Sequence, residues 1–388
     1  MKEKFEERTL TGPMNVACKY DDGTIRYWNH LKEVVISHIK DIVSTYAKDR
    51  YILTLRQLHY QLVTKNWTVN HDTAYKKLSS ILDDCRYSGE VDWKGFEDRG
   101  RVPSIPYMVD DIADAFQDTI NTYRIDRQKG QPNHVELWTE KDALSGILSR
   151  STRKYGIYLV VNKGYTSSSA IYGAYERIVE RILNGQSVTI LYFGDHDPSG
   201  LDMIRDIRER LTFFLSHGNQ LMKAPNFAAK VEDWWDEHEY TWYDLNHHEY
   251  LSDKQMDDLS RGSDEIGYVR FDKAATAFDA GKLAWYISEQ NLFSVKAIGL
   301  TMEQIKKYNL PPNPTKMTDS RADGYVRLYG KTCWEVDALD PKTLTEIVET
   351  NIQETIDMDL YRETLAKEET DKNKIREIIE GLDTEDDE

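Results

Sequence analysis

Three acidic residues stand where two apolar runs of the chain end. Asp195 and Asp197 follow the run SVTILYFG at 187–194, and Glu140 follows the run VELWT at 135–139. Side chains two positions apart on an extended segment face the same side, with Cα atoms about 6–7 Å apart. If both runs are parallel strands, the three carboxylates meet beyond the carboxyl ends of one sheet, where such sheets bind ligands. Three carboxylates at one place suit Mg²⁺.

A second interpretation of the two aspartates remains open from these residues alone. Pro198-Ser199-Gly200 begins a helical pattern, and an aspartate just before a helix is typical of an N-terminal cap. The same helix would also direct its first amides toward the sheet edge, where they attract anions. A divalent ion there would engage phosphate oxygens and assist an in-line displacement.

The elements that must position these residues follow from the pattern of apolar residues. Short β-branched runs predict strands at 135–139, 157–162 and 187–194. Helical patterns follow them at 142–156, 167–185 and 197–218. This alternation predicts a parallel α/β sheet. We place the α/β domain at 129–366, after the Gly- and Pro-containing turn KGQPN at 129–133.

The residues before this domain predict a different architecture. Apolar spacings of three and four predict helices at 28–48, 74–89 and 109–124, and Thr54 is placed to cap another over 55–66. We therefore expect a mainly helical, winged-helix-like domain over 1–128.

The charge pattern does not exclude a nucleic-acid partner, although the net charge is −17. Residues 232–265 hold twelve acidic residues against two basic ones, and residues 367–388 hold ten against four. The rest is nearly neutral and can carry local basic faces. We interpret 224–265 as an insertion without clean periodicity, and 367–388 as a weakly helical or disordered acidic tail.

The composition also predicts where the protein resides. The mean hydropathy is −0.65 and there is no apolar run of membrane-spanning length, so we expect no membrane span. The three cysteines, Cys18, Cys85 and Cys333, are scattered and predict a reducing compartment. We therefore expect a cytoplasmic protein, associated with the nucleoid if the source is prokaryotic.

Three motifs together resemble a known family. Glu140-Lys141-Asp142-Ala143 resembles the Glu-Lys-x-Ala motif of the Toprim domain in topoisomerase VI A subunits and Spo11. Lys163-Gly164-Tyr165 resembles the Lys-Gly-Tyr/Phe-Pro element of that family, with Thr166 in place of Pro, and 195–200 matches its Asp-x-Asp-Pro-x-Gly. Residues 335–339 resemble its Glu-x-x-Ala-Leu element more loosely. The resemblance implies a Toprim fold with Glu140, Asp195 and Asp197 as Mg²⁺ ligands.

The same family carries a catalytic tyrosine in an Arg-Asp-Ile-Tyr-Tyr motif on the preceding winged-helix domain. Here the matching segment is Arg56-Gln57-Leu58-His59-Tyr60, with Gln in place of Asp. The resemblance makes Tyr60 the nucleophile, with Arg56, Glu140 and Lys141 in catalytic roles. The alternative is that Tyr60 packs in a core, because apolar residues surround it in the sequence.

The function implied by the resemblance is Mg²⁺-dependent cleavage of double-stranded DNA, with Tyr60 linked to the 5′ end. It also implies a homodimer whose half-sites combine two protomers, and a GHKL-type ATPase B subunit as partner. Two alternatives stay open. One is a Toprim nuclease in which water attacks and Tyr60 is structural, and the other is a catalytically inert DNA-binding scaffold.

Overall fold

The computed structural model describes residues 13–19, 25–49, 51–65, 67–68, 70–96, 106–218, 220–245 and 280–383. The strands are β1 (Pro13–Lys19), β2 (Ile25–Leu31), β3 (Asn133–Thr139), β4 (Tyr158–Val161), β5 (Ser187–Phe193), β6 (Phe293–Gly299), β7 (Asn313–Pro314) and β8 (Thr332–Cys333). Short 3₁₀ turns lie at Trp93–Gly95, Asp142–Leu144 and Val336–Ala338.

The α-helices divide into a group before the sheet and a group around it. The first group is α1 (Lys32–Lys48), α2 (Leu55–Thr64), α3 (Asp72–Tyr87) and α4 (Ile112–Thr122). The second is α5 (Ser145–Tyr155), α6 (Ser168–Leu183), α7 (Pro198–His217), α8 (Pro225–Leu245), α9 (280–289), α10 (Met302–Lys307), α11 (Ala322–Tyr329), α12 (Pro341–Thr355) and α13 (Met358–Asp383).

The central element is a four-stranded parallel sheet in the order β4-β3-β5-β6. This confirms the α/β class and the parallel strands predicted at 135–139, 157–162 and 187–194. Each of those predictions overlaps a strand whose ends differ by at most two residues. Continuous apolar runs are typical of parallel strands, which are covered on both faces.

Helices cover both faces of the sheet. Leu137 and Trp138 are neighbours on β3 that point to opposite faces, and both are fully buried. Leu137 belongs to a core with residues of α5 and α12, such as Leu148 and Val348. Trp138 belongs to a core with residues of α6 and α7. The ends of β3 and β5 are therefore positioned by a sheet that packs against helices on both faces.

The N-terminal helices form a third core and contact the α/β part directly. Ile39, Leu58 and Leu82 from α1, α2 and α3 are buried together. Tyr51 packs against this core and against one core of the sheet, and its hydroxyl lies 3.0 Å from Thr345 Oγ1 on α12.

Two predictions about the helices need correction. The helix expected from residue 28 begins at Lys32, because residues 28–31 pair with β1 in strand β2. The block 224–265 contains helix α8, whose residues Phe227, Val231 and Trp235 are buried at intervals of four. Residues 246–265, the rest of that block, lie outside the described residues.

The acidic tail, predicted to be weakly helical or disordered, is helical and continues helix α13 through Asp383. Glu368 is buried, and its carboxylate receives two hydrogen bonds from Arg127 Nη2, at 3.0 and 3.1 Å. Burial raises the pKa of Glu368, but hydrogen bonds from Lys372, Arg127 and the Ile125 amide outweigh it and hold that pKa below its usual range. The helix is thus anchored by a buried ion pair between Glu368 and Arg127.

Among the described helices, none is both long and apolar enough to cross a membrane.

Candidate active site

Two of the predicted residues meet where β3 and β5 end. Lys141 lies two residues beyond β3 and Asp195 two residues beyond β5. Lys141 Nζ lies 2.8 Å from Asp195 Oδ2, and both side chains are nearly buried. The parallel pairing of Thr139 with Phe193 brings the two strand ends side by side. The sequence prediction that these strand ends converge is therefore confirmed.

The Lys141 ammonium group is also bound by two carboxylates that were not predicted as site residues. Its Nζ lies 2.7 Å from Asp337 Oδ2 and 3.2 Å from Glu335 Oε2. Asp337 is fully buried. One cation thus lies among three carboxylates, and we call Lys141, Asp195, Glu335 and Asp337 the Lys141 cluster.

The segment that carries Glu335 and Asp337 is held against Asp195 by backbone pairing. His196 and Trp334 exchange backbone hydrogen bonds of 2.9 and 3.0 Å. The Val336 amide donates to Asp195 Oδ1 at 2.7 Å. The buried His196 ring makes a 2.8 Å hydrogen bond to the Tyr325 hydroxyl, which strengthens the same junction. Glu335 and Asp337 are therefore positioned by the protein backbone rather than by flexible side chains.

Helix α2 brings the predicted nucleophile to this cluster. Its N-terminus is fixed by a capping box in which Thr54 and Gln57 satisfy each other's amides, so the predicted Thr54 cap is confirmed. The Tyr60 hydroxyl donates a hydrogen bond to Glu335 Oε2. Arg56, one turn earlier, lies 3.6 Å from the same oxygen and 3.7 Å from Asp337 Oδ2.

The charges of the cluster shift the pKa values of its members. Burial lowers the pKa of Lys141, but Asp195, Asp337 and Glu335 outweigh it and hold that pKa well above its usual value. Burial raises the pKa of Asp195 to about 7, against the opposing effect of Lys141. Burial also raises the pKa of Glu335, yet Lys141, the Tyr60 hydroxyl and Arg56 bring it below its usual range. Glu335 is thus held in its ionised form beside the Tyr60 hydroxyl.

Asp197 has the capping role that the second interpretation predicted. Its Oδ1 accepts a 2.6 Å hydrogen bond from the Gly200 amide at the start of α7. A Cβ atom at Gly200 would lie 2.4 Å from the Asp195 carbonyl oxygen, so only glycine allows the helix to begin this close to Asp195. The Asp197 carboxylate is therefore held by the start of α7. The carboxylates that pair with Lys141 are those of Asp195, Glu335 and Asp337.

Glu140 lies in the electrostatic field of the other carboxylates without a ligand-like contact to them. Burial raises its pKa, and Asp197 and Asp337 raise it further against the effect of Lys141. Burial raises the pKa of the Tyr192 phenol, and Glu140, Asp195 and Asp197 raise it further. Glu140 therefore adds negative charge to the environment of the strand ends.

The carboxylates have the hard oxygen donors that Mg²⁺ prefers, but their placement does not form a ligand set. The described residues include no group of three or more His, Cys, Asp or Glu side chains placed to hold a metal ion. Asp195 is neutralised by Lys141 and Asp197 caps α7. In this conformation the residues do not fit a bound Mg²⁺, since Asp195 would first have to exchange Lys141 for the ion.

The remaining motif, Lys163-Gly164-Tyr165, begins with a residue that pairs with Asp142 and not with a carboxylate of the Lys141 cluster. Lys163 and Gly164 have φ angles of +50° and +104°, a tight turn after β4. Lys163 Nζ pairs with Asp142 Oδ2 at 3.2 Å and is largely exposed. The motif therefore shapes a loop next to Glu140 and does not contact Lys141.

Comparison of the chain with protein-family models, with curated proteins and with solved structures gave no match.

Proposed function

We propose that this chain cleaves double-stranded DNA by the mechanism of topoisomerase VI A subunits and Spo11, with Tyr60 as the nucleophile. The observation that carries the proposal is the hydrogen bond from the Tyr60 hydroxyl to Glu335, in a cluster that contains Lys141 and Asp195. The order of the parallel sheet and the helical region before it support the Toprim and winged-helix assignments.

The proposed reaction is a transfer of one phosphodiester from a DNA oxygen to a phenol oxygen. Tyr60 Oη bonds to phosphorus while its proton passes to Glu335 Oε2. The bond from phosphorus to O3′ breaks, and O3′ takes a proton from water and leaves as a hydroxyl. The products are a 3′-hydroxyl end and a 5′-phosphotyrosyl linkage. The ionised form of Glu335 suits it to accept this proton.

Arg56 is suited to meet the phosphate in this reaction. Its guanidinium faces Glu335 and Asp337 at 3.6 and 3.7 Å, while about half of its side chain (53%) is exposed. A guanidinium binds phosphate oxygens in a fixed, forked geometry. Its two ion pairs are longer than hydrogen bonds, whereas its hydrogen bond to Tyr60 keeps the guanidinium beside the proposed nucleophile.

Mg²⁺ belongs to the proposal through the family resemblance alone, and Glu140, Asp195 and Asp197 would hold it only in a conformation in which Asp195 has released Lys141. Bound there, it would neutralise charge on the phosphate. No step above depends on the ion. A homodimeric assembly and a GHKL-type ATPase partner also belong to the proposal, and they rest on the family resemblance.

The test is a denaturing gel of the protein incubated with end-labelled double-stranded DNA and Mg²⁺. We expect a covalent protein–DNA adduct with the wild type and none with Tyr60→Phe. Tyr75→Phe, on the neighbouring helix α3, is the matched control and should form the adduct normally. An adduct that survives Tyr60→Phe contradicts the assignment of the nucleophile.

One observation favours the second candidate, a hydrolytic nuclease in which water attacks. Tyr60 is nearly buried, and burial together with Glu335 raises the pKa of its phenol, as in a tyrosine with a structural role. Cutting that leaves no adduct and persists in Tyr60→Phe would identify this activity. Binding without any cutting, unchanged in Glu140→Gln and Asp195→Asn, would identify an inert scaffold.

A further inference from the structure

We propose that α4 and the second half of α13 form a surface that binds a basic amphipathic helix of a partner protein. This α4–α13 surface comprises residues 106–122 and 368–383. It contains no residue of the Lys141 cluster, and the proposal does not depend on the proposed function. Four of the five most exposed large apolar side chains among the described residues lie here, at 63–76% exposure: Tyr107, Met108, Ile112 and Ile378.

The two helices are attached to each other at one end. The Tyr123 hydroxyl donates to Asp371 Oδ2 at 3.1 Å, and α4 contacts α13. On α4, Ile120 is buried near this attachment, and Ile112 lies eight residues earlier on the same face. On α13, Ile378 lies seven residues beyond Asp371, again on one face. The faces that meet near Tyr123 are therefore the faces that expose isoleucine two turns further away.

The cores of the protein do not cover these faces. Among the described residues, the three cores contain none from α4 and none from α13 beyond Leu365. The Tyr107 hydroxyl donates to Asp118 Oδ2 at 3.3 Å, which places the segment that contains Met108 beside α4. Amphipathic helices gain most of their stability by packing an apolar face, and contiguous exposed apolar residues mark interaction sites. The α4–α13 surface thus has an apolar face for another helix.

The charge of the surface selects the kind of partner. Residues 102–123 contain four aspartates and no Lys or Arg, and residues 368–383 contain six acidic residues against three basic ones. This negative charge repels nucleic acid, anionic lipid and the same surface of a second copy. A helix with Lys or Arg beside an apolar stripe would instead pair with the carboxylates while its stripe covers Ile112 and Ile378.

The first experiment measures binding of a synthetic probe to the full-length protein. The probe is a fluorescein-labelled helix of Leu and Lys, about five turns long, with all Leu on one face. A second peptide has the same composition in a scrambled order that forms no apolar face. Fluorescence anisotropy should show that the amphipathic peptide binds about fivefold or more tightly than the scrambled one, and that added salt weakens it. No binding, or equal affinities for the two peptides, would overturn the proposal.

The second experiment locates the binding surface with variants of exposed residues. Ile112→Ser and Ile378→Ser should each weaken the amphipathic peptide by about fivefold or more, with the melting temperature of the wild type because both side chains are exposed. Leu328→Ser is the matched control, since Leu328 on α11 is 77% exposed and lies elsewhere. If the control loses as much affinity as the isoleucine variants, or they lose none, the proposal fails.

The third experiment tests the charges and the competing occupant. Asp114→Asn, in the first turn of α4, should weaken the amphipathic peptide, whereas Asp323→Asn, in the first turn of α11, should not. Equal effects would mean that the peptide responds only to the total charge, against the proposal. In sedimentation velocity, Ile112→Ser should keep the oligomeric state of the wild type. A wild-type oligomer that dissociates in this variant would assign the surface to a second copy of the chain and overturn the proposal.

Discussion

The clearest quantitative consequence of the Lys141 cluster concerns its central cation. Replacing Lys141 by Met keeps a side chain of similar length and removes the only charge within 3.2 Å of the three carboxylate oxygens it contacts among the described residues. Removing one partner of a buried ion pair costs about 3–5 kcal/mol of unfolding free energy. We expect Lys141→Met to lose an amount in that range at pH 7.

The loss should grow as the pH rises. The pKa of Asp195 in the folded protein is about 7, above the value of about 3.9 for an unperturbed aspartate. A carboxyl group with a raised folded pKa stabilises the protein at low pH, and this contribution falls by about 1.4 kcal/mol per pH unit until the folded pKa is reached. Without Lys141 that pKa is higher still, so the variant continues to lose stability between pH 7 and 8 while this contribution in the wild type levels off.

The assay is urea unfolding followed by tryptophan fluorescence at pH 6, 7 and 8. Lys163→Met is the control, because the Lys163 side chain is 68% exposed and its ion pair lies on the surface. It should change stability by no more than about 1 kcal/mol. If Lys141→Met unfolds within about 1 kcal/mol of the wild type at pH 8, the cluster does not depend on Lys141 and the reasoning is refuted.

Three further expectations follow from single contacts. Glu368→Gln should lower stability at pH 7, and the difference should shrink as the pH falls below about 4.3, since the folded pKa of Glu368 is depressed. Glu369→Gln, at an exposed neighbour, should show no such trend in thermal melts. Gly200→Ala should cost about 1–3 kcal/mol through overpacking, whereas Gly281→Ala, with open space around it, should be neutral or slightly stabilising; equal melting temperatures would contradict the contact at Gly200. Burial raises the pKa of Cys333 to about 11, so iodoacetamide at pH 8 should leave Cys333 unmodified in native protein, as read by peptide mass spectrometry.

Features set by local sequence were the ones that could be predicted. Strand β5 follows from a mostly apolar run. The start of α2 follows from Thr54 and Gln57, because the side chain of each accepts a hydrogen bond from the backbone amide of the other. The proximity of the ends of β3 and β5 also follows, because parallel strands of similar register end at the same edge.

Features set by distant partners could not be predicted. Glu335 and Asp337 join the site through contacts to Lys141 that span 194 and 196 positions, and no periodicity encodes such a distance. The only local signal was the Glu-x-Asp-Ala-Leu sequence at 335–339. In the same way, helix α13 is anchored by Arg127, 241 positions from Glu368, so the charged sequence of the tail did not distinguish a helix from a disordered end.

The 196 positions between Lys141 and Asp337 in the sequence also determine how early the Lys141 cluster can form during translation. A ribosome that adds about 5–20 residues per second needs roughly 10–40 s to travel the 196 positions between them. Until the later residues emerge, the Tyr60 hydroxyl has no Glu335 carboxylate to which it can donate its hydrogen bond. A nascent chain that already holds its helical region and strands β3, β4 and β5 therefore still lacks the two carboxylates that complete the Lys141 cluster.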